Sequence, residues 1–339
     1  MDIQHVTIKT IAEETGFSTT TVSRVLNGTY RKYRVSEVTA KVIQEQAKKL
    51  GYIPNQAAVN LRLKKNHTIG LIVPNLTNPY FSTIASIISK AFYSRKYAVY
   101  MIDCDDNQRI EKDIVSTISS QNMDGLIVIP SGNDSRHLER LIRIKLPFIC
   151  IDRYFESLHI PYVSTDNYIG ALAAVELLVR NGHKKIACIQ GNPTVVSNTE
   201  RVRGYFEAIE KFGLDYSYVS GQEFTLQNGY KEMKKIINLY DRPTAIFTLS
   251  DMISLGVMRA LKEEKLTIPN DFSLISFDNS QYLDYLETPL TSIAQPVEQI
   301  AEKAIELLLS QMKGELSKTK MSLLIPPTII ERNSIKKLN

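Results

Sequence analysis

Apolar runs of strand length recur along this chain from His67 onward, and an amphipathic segment of helical length separates most of them. The runs read TIGLIV, YAVYMID, GLIVIP, PFICID, KIACIQ, TAIFTL and FSLISF. Strands that alternate with helices form parallel sheets in βαβ units, because each helix carries the chain back to start the next strand in the same direction. This body is about 270 residues long, which exceeds the usual single core, so we expect two α/β lobes with a cleft between them.

Polar and aromatic residues follow several of these runs, at the carboxyl ends where doubly wound sheets bind their ligands. They are Asn78, Tyr80, Phe81, Asp152, Arg153, Arg201, Ser250, Asp251, Asp278 and Gln295. Carboxylates accept hydrogen bonds from sugar hydroxyls, guanidinium groups donate in pairs, and aromatic faces cover a pyranose or furanose ring. The set indicates a carbohydrate site, and the sequence contains no GxGxxG or GxxxxGK(S/T) motif for a dinucleotide or nucleoside triphosphate.

Composition excludes several other classes of protein. With 43% hydrophobic and 23% charged residues, the chain is an ordinary globular sequence rather than a disordered or collagen-like one. No run approaches the ~18 apolar residues of a membrane span and residues 1–10 contain no signal core, so we expect a cytoplasmic protein without a membrane partner. Cys104, Cys150 and Cys188 each lie inside an apolar run, which predicts core residues rather than disulfides or metal ligands.

The residue pattern does not indicate an enzyme. Histidine is scarce, with five in the chain, and no Ser/His/Asp or Cys/His arrangement is recognisable. We therefore expect no enzyme activity, no catalytic residue, no metal and no other cofactor.

The positive charge of the chain is confined to its first segment. Residues 1–66 contain 11 Lys and Arg against 5 Asp and Glu, a balance of +6, whereas the remainder has a balance of −1. A small basic unit before a large neutral one is typical of a protein that meets a polyanion at one end only. A small domain can also be basic by chance, so charge alone leaves nucleic-acid binding open.

The basic segment carries the signals of three short helices. The predicted helices cover residues 8–14, 21–26 and 36–50. Thr7 and Ser18 can cap the first two, and Gly16 and Gly51 provide helix stops. Two short helices that meet at a glycine turn, followed by a third, are typical of a helix-turn-helix DNA-binding unit.

The second helix of such a unit enters the major groove with its first residues facing the base edges. Thr19, Thr20 and Arg24 are then the candidates for base contact. Arg24 can make a bidentate contact to guanine, and threonine offers a hydroxyl or packs its methyl against thymine. The same short polar side chains would also suit a solvated helix face.

The runs VTIKTIAEETGFSTTTVSRVLNG and KKLGYIPNQAAVNLRLKKNHTIGLIVPNLTNPYF resemble the amino-terminal region of the lactose and galactose repressor (LacI/GalR) family of bacterial transcription regulators, and the resemblance continues to the C-terminus. It implies an α/β fold class: an N-terminal three-helix helix-turn-helix domain and a two-lobed, periplasmic-binding-protein-like, doubly wound α/β core. The DNA-binding positions that it implies are Thr7, Ser18, Thr19, Thr20, Thr21, Ser23, Arg24, Asn27, Tyr52, Asn55, Ala58, Leu61 and Arg62.

For the segment between the two parts, a function is implied only by this resemblance. Asn55–Leu63 could form a helix of about two turns, which alone would be marginal in water. The resemblance implies a hinge helix that orders on DNA, with Leu61 wedged into the minor groove and Arg62, Lys64 and Lys65 near phosphates. On the residues alone, Leu61 could equally be a linker residue that packs on its neighbour.

The resemblance also implies an effector pocket formed by the residues at the strand ends. Its positions are Asn78, Tyr80, Phe81, Asp152, Arg153, Arg201, Phe224, Ser250, Asp278 and Gln295. The set is similar to that of pentose and hexose binders, but Ser250 departs from the asparagine often found there. Taken alone, Arg153 or Asp278 could form a surface ion pair and Phe224 could be a core residue.

The loop after the second helix departs from the family pattern. Gly28 to Val35, GTYRKYRV, is several residues longer than usual and is rich in basic and aromatic residues. Side chains of this kind can add contacts to phosphates.

Together these features predict a helix-turn-helix domain at 1–53, a hinge helix and linker at 54–66, and an effector-binding and dimerisation domain at 67–339. Its predicted lobes are about 67–165 with 291–321, and 166–290 with 322–339. We expect a repressor that binds a palindromic double-stranded operator as a homodimer under allosteric control by a small sugar-like effector. The alternative is a sugar-binding or transport component without a DNA role, which would require export; a protein corepressor is compatible with the sequence but not indicated by it.

Overall fold

The computed structural model describes residues 6–52, 66–315 and 322–338. The chain divides into two units, Met1–Asn66 and His67–Asn339, which are described separately. The first unit contains α1 (Ile8–Thr15), α2 (Thr19–Leu26) and α3 (Glu37–Lys49), with a short 3-10 helix at Tyr30–Tyr33 between α2 and α3.

The capping residues of the first unit fix where its helices start. Thr7 forms a reciprocal cap with Thr10, in which each residue's backbone N–H donates to the other's hydroxyl over 3.2 Å. Ser18 accepts from the N–H of Thr21 over 3.1 Å. An N-cap side chain bonds to the third helical residue, so Thr21 is that residue and α2 begins at Thr19. The predicted start at Thr21 is therefore wrong by two residues, whereas both predicted caps are confirmed.

The core of the first unit is small and lies where its three helices meet. Ile11, Val22 and Ile43, one from each helix, are fully buried, and Val25 is nearly so. Burial of such side chains contributes roughly 1.5–3 kcal/mol each. The few core residues therefore hold the orientation of α2 and the surface that it exposes.

The second unit contains two sheets, one in each lobe. Strands of the first sheet are β1 (Thr68–Val73), β2 (Ala98–Asp103), β3 (Gly125–Val128), β4 (Phe148–Ile151), β5 (Tyr162–Thr165) and β11 (Ser322–Ile325). Strands of the second are β6 (Ile186–Ile189), β7 (Tyr218–Ser220), β8 (Ala245–Thr248), β9 (Ser273–Phe277), β10 (Thr291–Ala294) and β12 (Thr328–Ile330). Their orders are β11-β5-β4-β3-β1-β2 and β12-β10-β9-β8-β6-β7, and the described pairings are parallel except that of β10 with β12.

Helices cover both faces of each sheet, which confirms the predicted doubly wound fold. They are α4 (Pro79–Tyr93), α5 (Gln108–Ile118), α6 (Arg136–Arg143), α7 (Asn167–Arg180), α8 (Val196–Lys211), α9 (Leu226–Ile237), α10 (Asp251–Glu263) and α11 (Val297–Lys313). In the first lobe α4 and α11 pack on one face and α5 and α6 on the other. In the second lobe α7 and α8 face α9 and α10 across the sheet.

The chain crosses between the lobes at three points. Residue 166 joins β5 to α7, residues 295–296 join β10 to α11, and residues 326–327 join β11 to β12. The predicted placement of 291–294 in the first lobe and of 322–325 in the second is therefore wrong, because β10 pairs with β9 and β11 pairs with β5. The apolar pattern of a short strand indicates that it is buried but not which sheet it joins.

The three cysteines are fully buried and free, as the sequence predicts. Burial raises the pKa of the Cys104 thiol to about 11, so it stays protonated near neutral pH. None of the helices in the described ranges combines the length and apolar character that crossing a membrane requires.

Candidate functional site

The predicted effector residues surround one cavity in the cleft between the two lobes. Its volume is about 650 Å³, within the range of small-molecule sites. The ten predicted positions that line it are Asn78, Tyr80, Phe81, Asp152, Arg153, Arg201, Phe224, Ser250, Asp278 and Gln295. The structure therefore brings them together, and their role in ligand binding stays a prediction.

Strand ends and helix starts hold these side chains at the cleft. Asn78 caps α4 by accepting from the N–H of Tyr80 over 2.9 Å, and Ser250 caps α10 by accepting from the N–H of Ile253 over 3.2 Å. Asp152 and Asp278 directly follow β4 and β9 with φ of 61° and 72°. This left-handed backbone is uncommon for residues other than glycine, and it turns the chain sharply as it leaves each strand.

Each of the two aspartates belongs to a different lobe and is fixed by a neighbour. Tyr80 donates its hydroxyl to Oδ1 of Asp152 over 3.0 Å. The amide of Gln295 donates to Oδ1 of Asp278 over 2.6 Å, and Gln295 Oε1 accepts from the Thr165 hydroxyl over 2.5 Å. Burial raises the pKa of both carboxyls above the ordinary aspartate value, because the ionised form loses hydration.

The two arginines in the cavity are nearly buried and partly bonded to the protein. Arg153 donates from Nη1 to Asp106 over 2.5 Å, while its buried Nε has no hydrogen-bond partner among the described residues. Arg201 donates from Nε to Asn167 over 2.7 Å and from Nη1 to the carbonyl of Leu249 over 2.6 Å. Both guanidinium groups are thus held in place while Nη2 of Arg201 remains without a hydrogen bond to a described residue.

Aromatic rings from both lobes flank the guanidinium of Arg153. Its Cζ lies 5.6 Å from the ring centre of Phe81 and 5.8 Å from that of Phe224. Phe224 lies directly on Gly191, where an added Cβ would be 2.4 Å from the ring. Only glycine at 191 therefore lets Phe224 take this position beside the cavity.

Sequence reasoning missed several residues that complete the cavity. Asp105 and Asp106 line it two and three residues after the end of β2, so the strand-end rule could have found them. Phe277 and Gly191 lie behind the lining and gave no comparable signal: the ring centre of Phe277 is 3.7 Å from Cζ of Arg201, and Gly191 packs against Phe224. The charged residues that line the cavity are Asp105, Asp106, Asp152, Glu223, Asp278, Arg153 and Arg201. In this lining, carboxylates thus outnumber guanidinium groups. The described residues contain no cluster of His, Cys, Asp and Glu able to hold a metal ion.

A second candidate surface lies on the N-terminal unit, along α2. Thr19 and Thr20 are exposed, and together with Ser23 and Arg24 they line a groove of about 620 Å³. The loop after α2 completes this groove with Thr29, Lys32 and Tyr33. Residues from two parts of the chain therefore form one polar and positively charged surface.

The remaining predicted DNA-binding residues have different surroundings. Thr7 and Ser18 cap helices, Thr21 shares a 2.9 Å hydroxyl contact with Ser18, and Asn27 donates to the carbonyl of Ser23 over 2.6 Å. Tyr52 is half-buried against the core of the unit. The other four predicted positions, Asn55, Ala58, Leu61 and Arg62, lie outside the described residues.

Comparison with known proteins gives consistent matches over nearly the whole chain. Residues 7–55 match the family model of bacterial regulatory proteins of the lacI family, and residues 175–335 match that of the periplasmic binding protein-like domain. The HTH-type transcriptional repressor CytR of Escherichia coli (strain K12) is 32% identical over 91% of this chain and 90% of its own. Catabolite control protein A of Priestia megaterium is 32% identical over 92% of this chain and 94% of its own.

Solved structures show the same similarity. The lac repressor dimer bound to operator and the anti-inducer ONPF has a TM-score of 0.88 and 25% identity, covering 98% of this chain and 100% of its own. A LacI family transcriptional regulator from Enterococcus faecium with bound ribose has a TM-score of 0.72 and 26% identity, covering 80% of this chain and 100% of its own.

Proposed function

Because the chain belongs to the lacI family of bacterial regulatory proteins, we propose that it represses transcription as a homodimer on a palindromic operator, under the control of a carbohydrate bound in the lobe cleft. DNA-binding transcriptional regulation without catalysis is the role that its repressor relatives share. The operator symmetry, the dimer and the effector are the parts that this proposal adds.

The observation that carries the proposal is the arrangement of acceptors, donors and aromatic rings around one cavity. Asp152 and Asp278 present carboxylates from opposite lobes, and Arg201 presents an unused donor. A ring with several hydroxyl groups can donate to both carboxylates and accept from the guanidinium at once. The ribose in the Enterococcus faecium regulator supports this ligand class.

The charge of the cavity favours an uncharged carbohydrate over a phosphorylated one. Arg153 is already bonded to Asp106, and Arg201 uses two of its donors on protein oxygens. A phosphate brings about two negative charges and would face the more numerous carboxylates of the lining. The negative charges of a phosphate and of these carboxylates would repel each other. Neutral hydroxyl groups therefore suit the residues of the lining better.

A bound ligand would act on the segments that connect the two lobes, and Gln295 would transmit this effect. This residue lies in the second crossing, accepts from Thr165 at the end of β5, and donates to Asp278 beside the cavity. A ligand that contacts both lobes would favour the arrangement of crossings that suits it. Coupling of about 1–3 kcal/mol would change operator affinity by roughly 5- to 150-fold.

The proposed dimer would cover the outer strand of the first sheet. In the described part of that sheet β2 is the last strand, and Tyr100 and Met101 on it are 57% and 38% exposed. Tyr93 at the end of α4 is exposed as well. Edge strands with exposed apolar side chains are aggregation-prone unless something covers them, and a second copy of the chain would do so.

The test combines a ligand screen with DNA binding by the full chain. Neutral pentoses and hexoses, their phosphates and their acids are compared for the rise in melting temperature they cause, because a ligand that binds the native state stabilises it. DNA affinity is measured on a duplex selected by the protein from a random library, with and without the best sugar. We expect stabilisation by a neutral carbohydrate, a roughly 5- to 150-fold change in DNA affinity, and binding that weakens steeply with salt.

Two results would overturn the proposal. Stabilisation by sugar phosphates alone would refute the neutral-ligand assignment. DNA affinity that survives deletion of residues 1–65 would refute the assignment of the DNA-binding unit.

A further inference from the structure

The loop that follows α2 is an ordered part of the N-terminal unit. Thr29 donates from its backbone N–H and its hydroxyl to the carbonyl of Arg24, over 2.9 and 3.2 Å. The 3-10 helix Tyr30–Tyr33 ends at Arg34, which has a left-handed φ of 56°, and Val35 then donates back to the carbonyl of Tyr30 over 3.1 Å. The loop therefore turns back on α2 with its own hydrogen bonds.

Glu37 at the start of α3 anchors the outer side of this loop. Its carboxylate accepts from the Tyr30 hydroxyl over 3.0 Å and from Nε of Arg31 over 2.9 Å. These two hydrogen bonds lower the pKa of Glu37 below its ordinary value. One of the loop's basic residues is thus paired within the protein, whereas Lys32 forms no ion pair with a described residue.

The anchored loop places Tyr33 beneath the guanidinium of Arg24. The Cζ atom of Arg24 lies 4.0 Å from the ring centre of Tyr33, which is the distance of direct stacking. Stacking uses the flat face of the guanidinium and leaves its N–H groups, which point outward in the plane, free to donate. The Arg24 side chain makes no hydrogen bond to a described residue, so these donors face the groove unpaired.

We propose that Tyr33 is a positioning residue for Arg24: it holds the guanidinium in the orientation that reads a guanine, and the loop is thereby a second element of the DNA-reading surface. Lys32 lines the same groove and contributes a charge that attracts phosphates without distinguishing bases. The inference rests on the proposed function, because Arg24 must face base edges for its orientation to matter.

The size of the effect follows from the stacking interaction. Cation–π contacts at exposed sites are worth ~0.5–1 kcal/mol, so loss of the ring would lower base discrimination by about two- to five-fold. Removal of Arg24 itself would lower it by about five- to 150-fold, as expected for a bidentate contact to guanine. Removal of Lys32 would weaken binding to all duplexes alike and reduce the salt dependence by about one counterion.

The experiment uses the full chain and the duplex that the wild-type protein selects from a random library. Its affinity is compared with that for duplexes in which each guanine pair is replaced in turn, which gives the discrimination at each position. The variants are Tyr33→Ala, Tyr33→Phe, Arg24→Ala and the double variant of Arg24→Ala with Tyr33→Ala. Tyr240→Ala is the matched control, because Tyr240 is a fully exposed tyrosine in the other unit.

We expect Tyr33→Ala to lose discrimination at the same guanine as Arg24→Ala, and Tyr33→Phe to retain it because the ring and not the hydroxyl forms the stack. In the Arg24→Ala background the change at Tyr33 should have no further effect on discrimination, whereas a general loosening of the loop would add to the loss. Equal discrimination in Tyr33→Ala and wild type, or an equal loss in Tyr33→Phe and Tyr33→Ala, overturns this inference. If Arg24→Ala changes discrimination at no guanine, the proposed reading helix is refuted instead.

A parallel measurement separates the loop's charge from its ring. Lys32→Ala should bind the selected and substituted duplexes with the same proportional loss, and Lys262→Ala, an exposed lysine on α10, is its control. A loss confined to the selected duplex would contradict the division of roles between Lys32 and Tyr33.

Discussion

Replacing Asp278 by Asn should stabilise the unliganded protein and weaken its ligand binding at the same time. The carboxylate is 6% exposed, and its Oδ1 accepts from Gln295 over 2.6 Å. Asparagine keeps an oxygen for Gln295 and tolerates the left-handed backbone at this position, where φ is 72°. The substitution therefore removes the negative charge and keeps the hydrogen bond from Gln295.

The effect on stability follows from the direction of the pKa shift. Burial raises the folded-state pKa of Asp278, although Arg201 offsets part of the shift. As pH rises above about 4, the Asp278 carboxyl ionises first in the unfolded chain, while in the folded chain it keeps its proton. The free energy of unfolding then falls by about 1.4 kcal/mol per pH unit until the folded-state pKa is reached. Asp278→Asn lacks this loss, so its advantage over wild type should grow with pH up to the folded-state pKa of Asp278 and stay constant above it.

The effect on ligand binding has the opposite sign. Gln295 donates to Oδ1 of Asp278 and the backbone N–H of Asp251 also donates to this carboxyl, which lines the cavity and would accept from a ligand hydroxyl as well. A hydrogen bond to a charged group is worth about 1.5–3 kcal/mol, and asparagine would present a donor in its place. We expect ligand binding about 10- to 150-fold weaker.

Thermal unfolding between pH 4 and 8 without ligand, and calorimetric titration with the most stabilising sugar, measure the two effects. Asp215→Asn is the matched control, because Asp215 is exposed on the same lobe. A lower melting temperature for Asp278→Asn at neutral pH would refute the argument from burial. Ligand affinity within two-fold of wild type would refute the place of Asp278 in the site.

Two further predictions concern packing. A Cβ at Gly256 would lie 2.0 Å from the carbonyl oxygen of Leu226, so Gly256→Ala must push α9 and α10 apart. We expect the free energy of unfolding, measured with denaturant, to fall by at least ~1–3 kcal/mol. Unchanged stability would contradict the close approach of these helices. Ile43→Ala removes a fully buried side chain from the small first core and should cost about 2–5 kcal/mol. DNA binding should then be lost while the sugar still raises the melting temperature of the second unit, and a lost sugar response would show that the damage is not local.

Local signals predicted the parts of this protein that depend on neighbouring residues. Thr7 and Ser18 could be identified as caps because a cap bonds to the third residue after it. Asp152 and Asp278 could each be placed at the carboxyl edge of a sheet because parallel strands end at the same edge. These features need no knowledge of which strands or lobes come together.

Distant pairings could not be derived in this way. Arg153 bonds to Asp106, 47 positions earlier, and Arg201 stacks on Phe277, far along the chain. The prediction assigned β10 and β11 to the wrong lobes for the same reason, because any buried sheet accepts a short apolar strand. The stack of Arg24 on Tyr33 depends on an irregular turn, for which the residue pattern gives no period.

The three crossings have a consequence for how the protein is made. Neither lobe is complete until its last strand exists, since β11 belongs to the first sheet and β12 to the second. At ~5–20 residues per second, a ribosome needs roughly 13–53 s to extend the chain from the end of the first unit through β12. The three-helix unit has its own core and can fold on the nascent chain during that interval. Each newly synthesised copy would therefore carry a finished DNA-contacting domain well before the region proposed to regulate it can assemble.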